Sequence, residues 1–302
     1  MCYNYLIIGE IPAVKFFHAG DTSGEMYMDI NRIWAVYFSP TGGTKDIAVS
    51  VAEQFGKMLH KEILELNYTR PEKRQNRYCF KRDDLVVFGM PVYAGRIPNK
   101  ILPDIERGFQ GENTKLIPVV VYGNRSFGDA LSELKTVMQE RGFQPLAGAA
   151  VVSQHAFTSL LGTDRPDADD RQEIRQFVLR AVDKLKENRY VPELEVMGNN
   201  PAGKYYTPLK EDGTPAKFLP AKPVTDIDKC CHCGICAQAC PMGSIDQSDY
   251  TKVSGVCIKC QACIRKCPAG AKAFADEQFL SHVKMLEKNY VKRADNFFFY
   301  SL

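Results

Sequence analysis

The stretch from residue 33 to residue 44 reads IWAVYFSPTGGT and sets the pattern for the first part of the chain. It opens with an apolar run, 33–38, typical of a buried strand, and the residues after it, KDIAVSVAEQF, have the spacing of an amphipathic helix. The loop between them combines two glycines with three hydroxyl side chains. Backbone amides at a helix N-terminus attract an anion, and glycines let it approach closely. The stretch therefore predicts a phosphate site, with a plain structural turn as the alternative interpretation.

The residues predicted to hold the phosphate are Ser39, Thr41, Gly42, Gly43 and Thr44. Their loop has neither the lysine of a P-loop nor the G-x-G-x-x-G of a dinucleotide site. We therefore expect the loop to bind one terminal phosphate and not the pyrophosphate of a dinucleotide.

Short apolar runs and helical patterns alternate from this loop to about residue 190. Strands are predicted near 33–38, 62–66, 84–90, 115–122 and 146–153, and helices near 44–59, 99–108, 127–142 and 170–187. The alternation predicts an α/β fold over residues 31–190, a doubly wound parallel sheet with helices on both faces. Five strands suit the order 2-1-3-4-5, in which a ligand lies beside strands 1 and 3. Residues 1–30 fit no periodic pattern and are predicted to be an N-terminal extension of unknown role.

Two more loops follow the third and fourth predicted strands, at the carboxyl edge where open α/β sheets bind their ligands. The first loop contains Pro91, Tyr93 and Gly95, and the second contains Asn124 and Arg125. We expect these residues to contact the same ligand as the phosphate loop. The alternative is that they only shape the loops or carry surface charge.

Composition and charge limit the classes of protein to which this chain can belong. Apolar residues make up 45% and charged residues 25% of the chain, as in soluble globular proteins, and the formal net charge is only +3. This balance gives no case for a nucleic-acid or anionic-membrane partner. No apolar run reaches transmembrane length and the N-terminus lacks a secretory signal, so we expect a cytoplasmic protein without a membrane span. The basic stretch 70–82 is predicted to be solvated or, alternatively, to dock an acidic redox protein.

The second part of the chain begins with a change in composition. Six prolines accumulate among glycines and charges between residues 191 and 225, which predicts a linker that lies over a surface. A compact cysteine-rich segment follows at 226–275, and a helical tail at 276–302 contains four successive aromatic residues, 297–300. We expect these aromatics to dock onto the body of the protein, with a partner surface as the alternative.

The cysteine-rich segment contains the pattern C-x2-C-x2-C-x3-C-P twice. The candidate metal ligands are Cys230, Cys233, Cys236, Cys240, Cys257, Cys260, Cys263 and Cys267. Three thiolates of each tight loop can reach three corners of a [4Fe-4S] cubane, while the fourth cysteine crosses to the other cluster. The pattern predicts two [4Fe-4S] clusters, one held by Cys230, Cys233, Cys236 and Cys267 and one by the remaining four cysteines. Structural zinc is the alternative, since paired C-x2-C motifs also describe zinc sites.

Three cysteines and one histidine are left out of the predicted sites. Cys231 stands between ligands while Cys2 and Cys79 stand apart, so all three are predicted to be ordinary thiols. A lone histidine such as His155 is more often packed or solvated than a ligand. The metal-type spacing of the other cysteines indicates a reducing compartment.

From about residue 31 to residue 275 the motifs resemble the bacterial flavodoxin-ferredoxin fusions known as EFR-type ferredoxins. The loop at 39–44 is similar to the flavodoxin pattern [ST]-x-T-G-x-T, and the segment 226–275 resembles a two-cluster bacterial ferredoxin. The resemblance implies a flavodoxin-like domain with noncovalent FMN, whose isoalloxazine ring contacts Tyr93, Gly95, Asn124 and Arg125. It also implies a small α+β ferredoxin-like domain.

A flavin exchanges one or two electrons and a cluster exchanges one, so the resemblance implies an electron-transfer protein that couples the two kinds of carrier. Its expected partners are redox proteins such as a ferredoxin or a reductase. One alternative is an FMN-dependent reductase of a small substrate, fed by its own clusters. Another is an interaction protein that senses redox state, oxygen or iron. The sequence leaves enzymatic activity, the donor and acceptor, and the oligomeric state open.

Overall fold

A computed structural model describes residues 30–186 and 193–301 of the chain. The predicted N-terminal extension, including Cys2, lies outside the described residues except for Ile30. The first two residues of the predicted linker also lie outside them. Among the described residues, no helix is long and apolar enough to cross a membrane.

The described residues form eleven strands and eight helices. The strands are β1 Arg32–Tyr37, β2 Ile63–Asn67, β3 Tyr78–Phe80, β4 Asp84–Pro91, β5 Phe109–Gly111, β6 Thr114–Tyr122, β7 Phe143–Pro145, β8 Ala147–Val152, β9 Val224–Thr225, β10 Lys272–Ala273 and β11 Phe297–Tyr300. The helices are α1 Gly43–Leu59, α2 Pro71–Arg74, α3 Leu102–Gly108, α4 Ala130–Glu140, α5 Ala168–Lys186, α6 Ile235–Ala239, α7 Ala262–Arg265 and α8 Glu277–Asn289.

The first module is built on one large, mostly parallel sheet. Five strands run parallel in the order β2-β1-β4-β6-β8, so that β1 and β4 stand side by side where the order changes direction. Two further strands join them: β7 pairs with β6, and β11 pairs antiparallel with β8 at the outer edge. The sheet therefore has seven strands instead of the predicted five. The periodicity missed both because β7 has three residues and β11 comes from the distant tail.

Each face of the sheet buries its own hydrophobic core. On one face α1 and α5 cover the strands, and Phe55 and Phe177 are fully buried there. On the other face α3 and α4 cover a core that includes Phe88 and Leu134. Because both faces are covered, β6 is buried along its whole length. This is why the central strands read as continuous apolar runs without alternation.

The tail docks onto the first module, as expected from its aromatic residues. Strand β11 completes the open edge of β8, where aromatic residues fit a half-buried pleated surface. Phe298 stacks on Phe177 with 5.1 Å between ring centroids. Upstream, Asn124 Nδ2 donates hydrogen bonds to the carbonyls of Tyr290 and Lys292. Strand pairing, ring packing and side-chain capping together fix the tail.

The described part of the linker before β9 contains no helix or strand and packs on the first module. Leu194 is buried, and Lys135 Nζ donates a hydrogen bond to its carbonyl at 2.9 Å. Further along, the N–H of Tyr206 donates to the carbonyl of Ala94 at 2.9 Å. This segment therefore runs along the loops at the carboxyl edge of the sheet.

The second module has two similar halves. In each half a cysteine loop leads into a short helix, α6 or α7, and the two-stranded antiparallel sheet β9-β10 joins the ends. Gly234 and Gln261 precede these helices in the left-handed region, with φ of +75° and +66°. The module contacts the first through Arg265, whose guanidinium donates to the carbonyls of His155 and Ala156.

The basic stretch 70–82, expected to be solvated or to dock a partner, holds α2 and β3. Lys73, Arg77 and Lys81 are exposed, in agreement with a solvated stretch. Arg74 is buried instead and takes part in the contact between the modules. The expectation is therefore wrong for this residue.

We expect Phe298→Ala to lower the free energy of unfolding by about 2 kcal/mol, less than the ~3–5 kcal/mol typical of a fully buried phenylalanine, because Phe298 is only partly buried. The control is Val291→Ala in the exposed part of the tail, which should change stability by less than about 0.5 kcal/mol. Chemical denaturation measures both. Equal effects would show that β11 does not stabilise the sheet.

Candidate functional site

The loop predicted to bind a phosphate lies between β1 and α1 at the carboxyl edge of the sheet. Its first residue is held from two sides. The N–H of Ser39 donates to Thr69 Oγ1 at 2.8 Å, and Ser39 Oγ accepts from the N–H of Lys45 at 2.9 Å. The Ser39 hydroxyl keeps its own hydrogen for another acceptor, such as a phosphate oxygen.

In this loop Thr41 and Gly42 are more open to solvent, whereas Gly43 and Thr44 pack against neighbouring residues. Gly42 precedes α1 with a φ of +108°, and no atom lies within 4 Å of where its Cβ would stand. A Cβ on Gly43 would stand 2.6 Å from Ser153 Oγ, so a larger residue here would require the Ser153 hydroxyl to move. Thr44 is buried, while Thr41 is partly exposed. The N-cap residue Gly42 makes no side-chain bond to the first turn of α1, where Ser39 Oγ accepts from the N–H of Lys45. A glycine-led helix N-terminus with a hydroxyl beside it fits a phosphate.

The loops after β4 and β6 meet at two glycines. Tyr93 and Arg96 pair through their backbones around a tight turn in which Gly95 has a φ of +79°. The Gly95 carbonyl accepts from the N–H of Asp129 at 2.8 Å, and a Cβ on Gly128 would stand 2.5 Å from that carbonyl oxygen. The two loops predicted to hold a ring are thus joined directly, and the Gly95 carbonyl is already bonded.

A part of the linker, residues 194–209 and here called the strap, covers these two loops. The guanidinium of Arg125 lies over the ring of Tyr206 at 4.0 Å, and that of Arg96 lies over Tyr205 at 4.8 Å. One predicted ring contact, Arg125, therefore has an aromatic partner from the chain itself. The strap limits access to the loops from solvent.

Asp129 fastens the strap to the loop after β6. Its carboxylate accepts hydrogen bonds from the backbone N–H groups of Asn199 and Gly203 at 2.9 and 2.8 Å, and from the Asn199 side chain. The Asn199 backbone bond is the largest cause that lowers the pKa of Asp129 below its ordinary value. Sequence reasoning missed this contact because no pattern links residues that only the fold brings together.

Asn124 and Pro91 stand where predicted but with other surroundings. Asn124 is buried, and besides donating to the carbonyls of Tyr290 and Lys292 it accepts from the N–H of Ala294. These bonds use both hydrogens of its amide, so its side chain could contact a ring only as an acceptor through Oδ1. Pro91 ends β4 and is partly exposed.

His155 is packed between the modules, in agreement with its omission from the predicted site. Burial, together with the nearby His282, Arg265 and Arg125, lowers the pKa of His155 to about 4. It is therefore neutral at physiological pH. A Cβ on Gly123 would stand 2.4 Å from its ring, which shows how tightly it is held.

Two cavities in the second module are each lined by four of the predicted cysteine ligands. Cys240, Cys257, Cys260 and Cys263 line one of them, here called the inner cavity. Cys230, Cys233, Cys236 and Cys267 line the other, the outer cavity, together with Cys231. In each cavity the fourth cysteine of one motif lies with the first three of the other. These are the two sets into which the sequence pattern divides the eight cysteines.

Both cavities offer the donors that an iron-sulfur cluster requires. The N–H of Ser244 donates to Cys240 Sγ, and the N–H of Ala271 donates to Cys267 Sγ, both at 3.3 Å. Within the described ranges, no group of three or more His, Cys, Asp and Glu side chains is placed to hold a single metal ion.

The inner thiols are unfavourable places for negative charge without bound metal. Burial raises the pKa of Cys263 to about 12 and also raises that of Cys260. The positive charge of bound iron would reverse this and keep the thiols deprotonated. The predicted ligand set thus fits iron in its chemistry as well as in its grouping.

The inner cavity lies on the side of the second module that contacts the first. Met242 and Ile258, which line it, also pack against the core beneath α3 and α4. Burial raises the pKa of Tyr93 well above its ordinary value, and charge on Cys260 and Cys257 would raise it further. The loop after β4 is therefore close to this cavity.

The lining of the outer cavity includes an exposed cysteine and a buried one, Cys236. Cys233 is exposed, and the additional Cys231 beside it is also exposed. Ile227, shortly before this loop, has 68% of its surface exposed. Cys231 is a free thiol like the eight candidate ligands, so its assignment as a non-ligand stays a prediction, whereas Cys79 is disulfide-bonded, which corrects the expectation for that residue. Spacing alone could not reveal this, because an isolated cysteine belongs to no motif.

Comparison with known proteins identifies part of the second module. Residues 223–246 match the 4Fe-4S binding domain family. The matched segment includes the first four-cysteine motif. No curated protein matches the chain.

The first module is similar to solved flavodoxin-type structures. A flavodoxin of Streptococcus pneumonia TIGR4 is 17% identical over 51% of this chain and 99% of that chain, with a TM-score of 0.35. A flavodoxin from the domain Archaea is 13% identical over 51% and 99%, with a TM-score of 0.34. Rubredoxin oxygen:oxidoreductase from Desulfovibrio gigas is 15% identical over 54% and 38%, with a TM-score of 0.36. The topology of the sheet and the geometry of its loops carry the interpretation of this module.

The cavity grouping predicts unequal effects of two cysteine substitutions. Cys267→Ser should remove about half of the bound iron, because Cys267 completes the outer cavity from the second motif. Cys231→Ser should leave the iron content unchanged, and it serves as the control. Iron analysis of anaerobically purified protein measures both. Equal iron loss from the two variants would contradict the grouping.

The lowered pKa of Asp129 predicts a pH-dependent contribution of the strap. The carboxylate contributes fully above its ordinary pKa of about 3.9, and the contribution is lost as the pH falls through the lowered value. Asp129→Ala should therefore cost about 1 kcal/mol at pH 7 and less at pH 3. Asp183→Asn, at an exposed site on α5, is the control. A cost that does not change between these pH values would exclude the ionised carboxylate as the cause.

Proposed function

We propose that the chain is an electron-transfer iron-sulfur flavoprotein that holds FMN in its first module and two [4Fe-4S] clusters in its second. The observation that carries the proposal is the pair of four-cysteine cavities in a 4Fe-4S binding domain that packs, by its inner cavity, on the loop edge of a doubly wound sheet. A module specialised for redox centres is thus placed against the edge where such sheets bind their ligands.

The residues proposed to hold each group follow from the geometry. The amides and hydroxyls at 39–44 bind the FMN phosphate, and the loops after β4 and β6 flank its ring. Cys240, Cys257, Cys260 and Cys263 bind one cluster, and Cys230, Cys233, Cys236 and Cys267 bind the other. A cluster supplies one-electron exchange and FMN supplies one- or two-electron exchange, so the chain connects the two kinds of carrier.

The exposure of the cysteines supports an order of sites along which the electrons pass. The outer cavity has an exposed cysteine, Cys233, and therefore offers an external redox protein the shorter approach. The inner cavity is covered by contacts with the first module through Met242 and Ile258. We infer that electrons pass between an external redox protein and the flavin by way of the outer cavity and the inner cavity. The transfer can run in either direction.

The strap favours an electron carrier over a reductase of a small substrate. Tyr205 and Tyr206 lie over arginines of the two ring loops, and Asp129 holds the strap in place. A small substrate would have to displace these contacts, whereas exchange through the second module would not. Redox protein partners are therefore proposed to dock at the outer cavity.

Cofactor analysis and rapid kinetics of the intact chain test this function. Anaerobically purified protein should contain about eight irons, about eight acid-labile sulfides and about one FMN per chain. After rapid mixing with reduced ferredoxin, flavin reduction should follow cluster bleaching at a rate that does not depend on protein concentration, since both modules belong to one chain.

Three results would contradict the proposal. Zinc at full occupancy with little iron would exclude the clusters, and release of FAD would exclude the mononucleotide site. Flavin reduction that becomes faster with protein concentration would show that the modules exchange electrons only between molecules. The matched variant Thr41→Asp, which places a carboxylate at the phosphate site, should lose FMN but keep its iron.

A further inference from the structure

Arg74 is a buried arginine within an otherwise solvated stretch. Only 6% of its surface is exposed, while the basic residues around it face solvent. A guanidinium keeps its charge in proteins, and a buried charge requires partners for its donors. The positions of these partners show what the residue does.

The guanidinium of Arg74 binds three acceptors from three parts of the chain. Its Nε donates to Asp104 Oδ2 at 2.7 Å, its Nη1 donates to the carbonyl of Thr69, and its Nη2 donates to the carbonyl of Pro241 at 2.6 Å. Asp104 supplies the counter-charge and is also bound by the exposed Arg107 at 2.7 Å. The remaining two acceptors are backbone groups of different modules.

Each of these carbonyls belongs to an element of a proposed cofactor site. Pro241 directly follows Cys240, whose Sγ lies in the inner cavity. Thr69 accepts a hydrogen bond on its Oγ1 from the N–H of Ser39, the first residue of the phosphate loop. One side chain therefore links the ligand loop of the inner cavity to the phosphate loop.

Other contacts near Arg74 cannot fix this geometry as sharply. Met242 and Ile258 pack by apolar contact, and a Cβ on Gly243 would lie 3.6 Å from Pro71 Cγ. Apolar contacts resist sliding and rotation weakly, whereas the planar fork of an arginine holds its acceptors in fixed directions. The guanidinium supplies the directional part of this contact.

We propose that Arg74 is a positioning residue that fixes the inner cysteine cavity against the phosphate loop, and that electron exchange between the modules depends on its guanidinium. The inference rests on the proposed function. It predicts that cofactor binding and electron exchange can be separated by substitutions at this position.

Rapid mixing of the intact, cofactor-loaded chain tests the inference. Arg74→Gln should slow flavin reduction within the chain by about tenfold or more, because losing a charge-assisted hydrogen bond shifts a docking equilibrium by at least that factor. Arg74→Lys keeps the charge beside Asp104 but not the fork, so it should also slow the exchange while keeping iron and FMN. Lys73→Gln and Arg77→Gln, at exposed positions of the same stretch, are the controls and should exchange electrons at the wild-type rate.

Measuring the rate at different solvent viscosities distinguishes an effect of the substitution on the positioning of the modules from a general loss of structure. The wild-type rate should not change in viscous buffer, whereas the Arg74 variants should slow further, because their modules must move before they exchange electrons. Wild-type rates in both Arg74 variants would overturn the inference, and so would loss of iron or FMN from both. Failure of the proposed function is distinct, because the wild type and Lys73→Gln would then also show no exchange within the chain.

Discussion

Loops that follow parallel strands all leave a sheet at its carboxyl edge, and this constraint gathers the functional parts of the chain in one place. The phosphate loop and the loops after β4 and β6 arise there because β1, β4 and β6 are neighbours. The strap and the second module then pack against these same loops. Without the parallel order, the residues that we assign to one flavin would lie at opposite ends of the sheet.

Polar contacts hold several segments over this edge. Asp129 binds backbone N–H groups of the strap, Asn124 binds carbonyls of the tail, and Arg265 binds carbonyls of the loop after β8. Each contact gives a hydrogen-bond partner to backbone groups of a segment that has no regular strand or helix of its own at that point. Covering of this kind keeps solvent and small molecules from the loops and favours exchange through the second module.

The second module illustrates how a small segment becomes stable. About fifty residues bury too little apolar surface for independent stability, and here the module rests partly on the first. Its inner thiols are shielded and hard to ionise, so bound iron would contribute both charge and structure. In the outer set Cys233 is exposed, while Cys236 is buried. This asymmetry gives two nearly identical motifs different positions in the proposed electron path.

The amino-acid sequence by itself determined the local chemistry of the chain. The strand and glycine loop at 33–44, the alternation of elements and the spacing of the eight cysteines depend on neighbouring residues, so periodicity and motif predict them. Tertiary structure decided the partners of Arg74, the strap contacts of Asp129, the edge strand β11 and the bonding of Cys79. These join groups far apart in the chain, such as Arg74 and Pro241 at a separation of 167 residues. No local pattern encodes such pairs, because burial and the demand for hydrogen-bond partners arise only after the elements have packed.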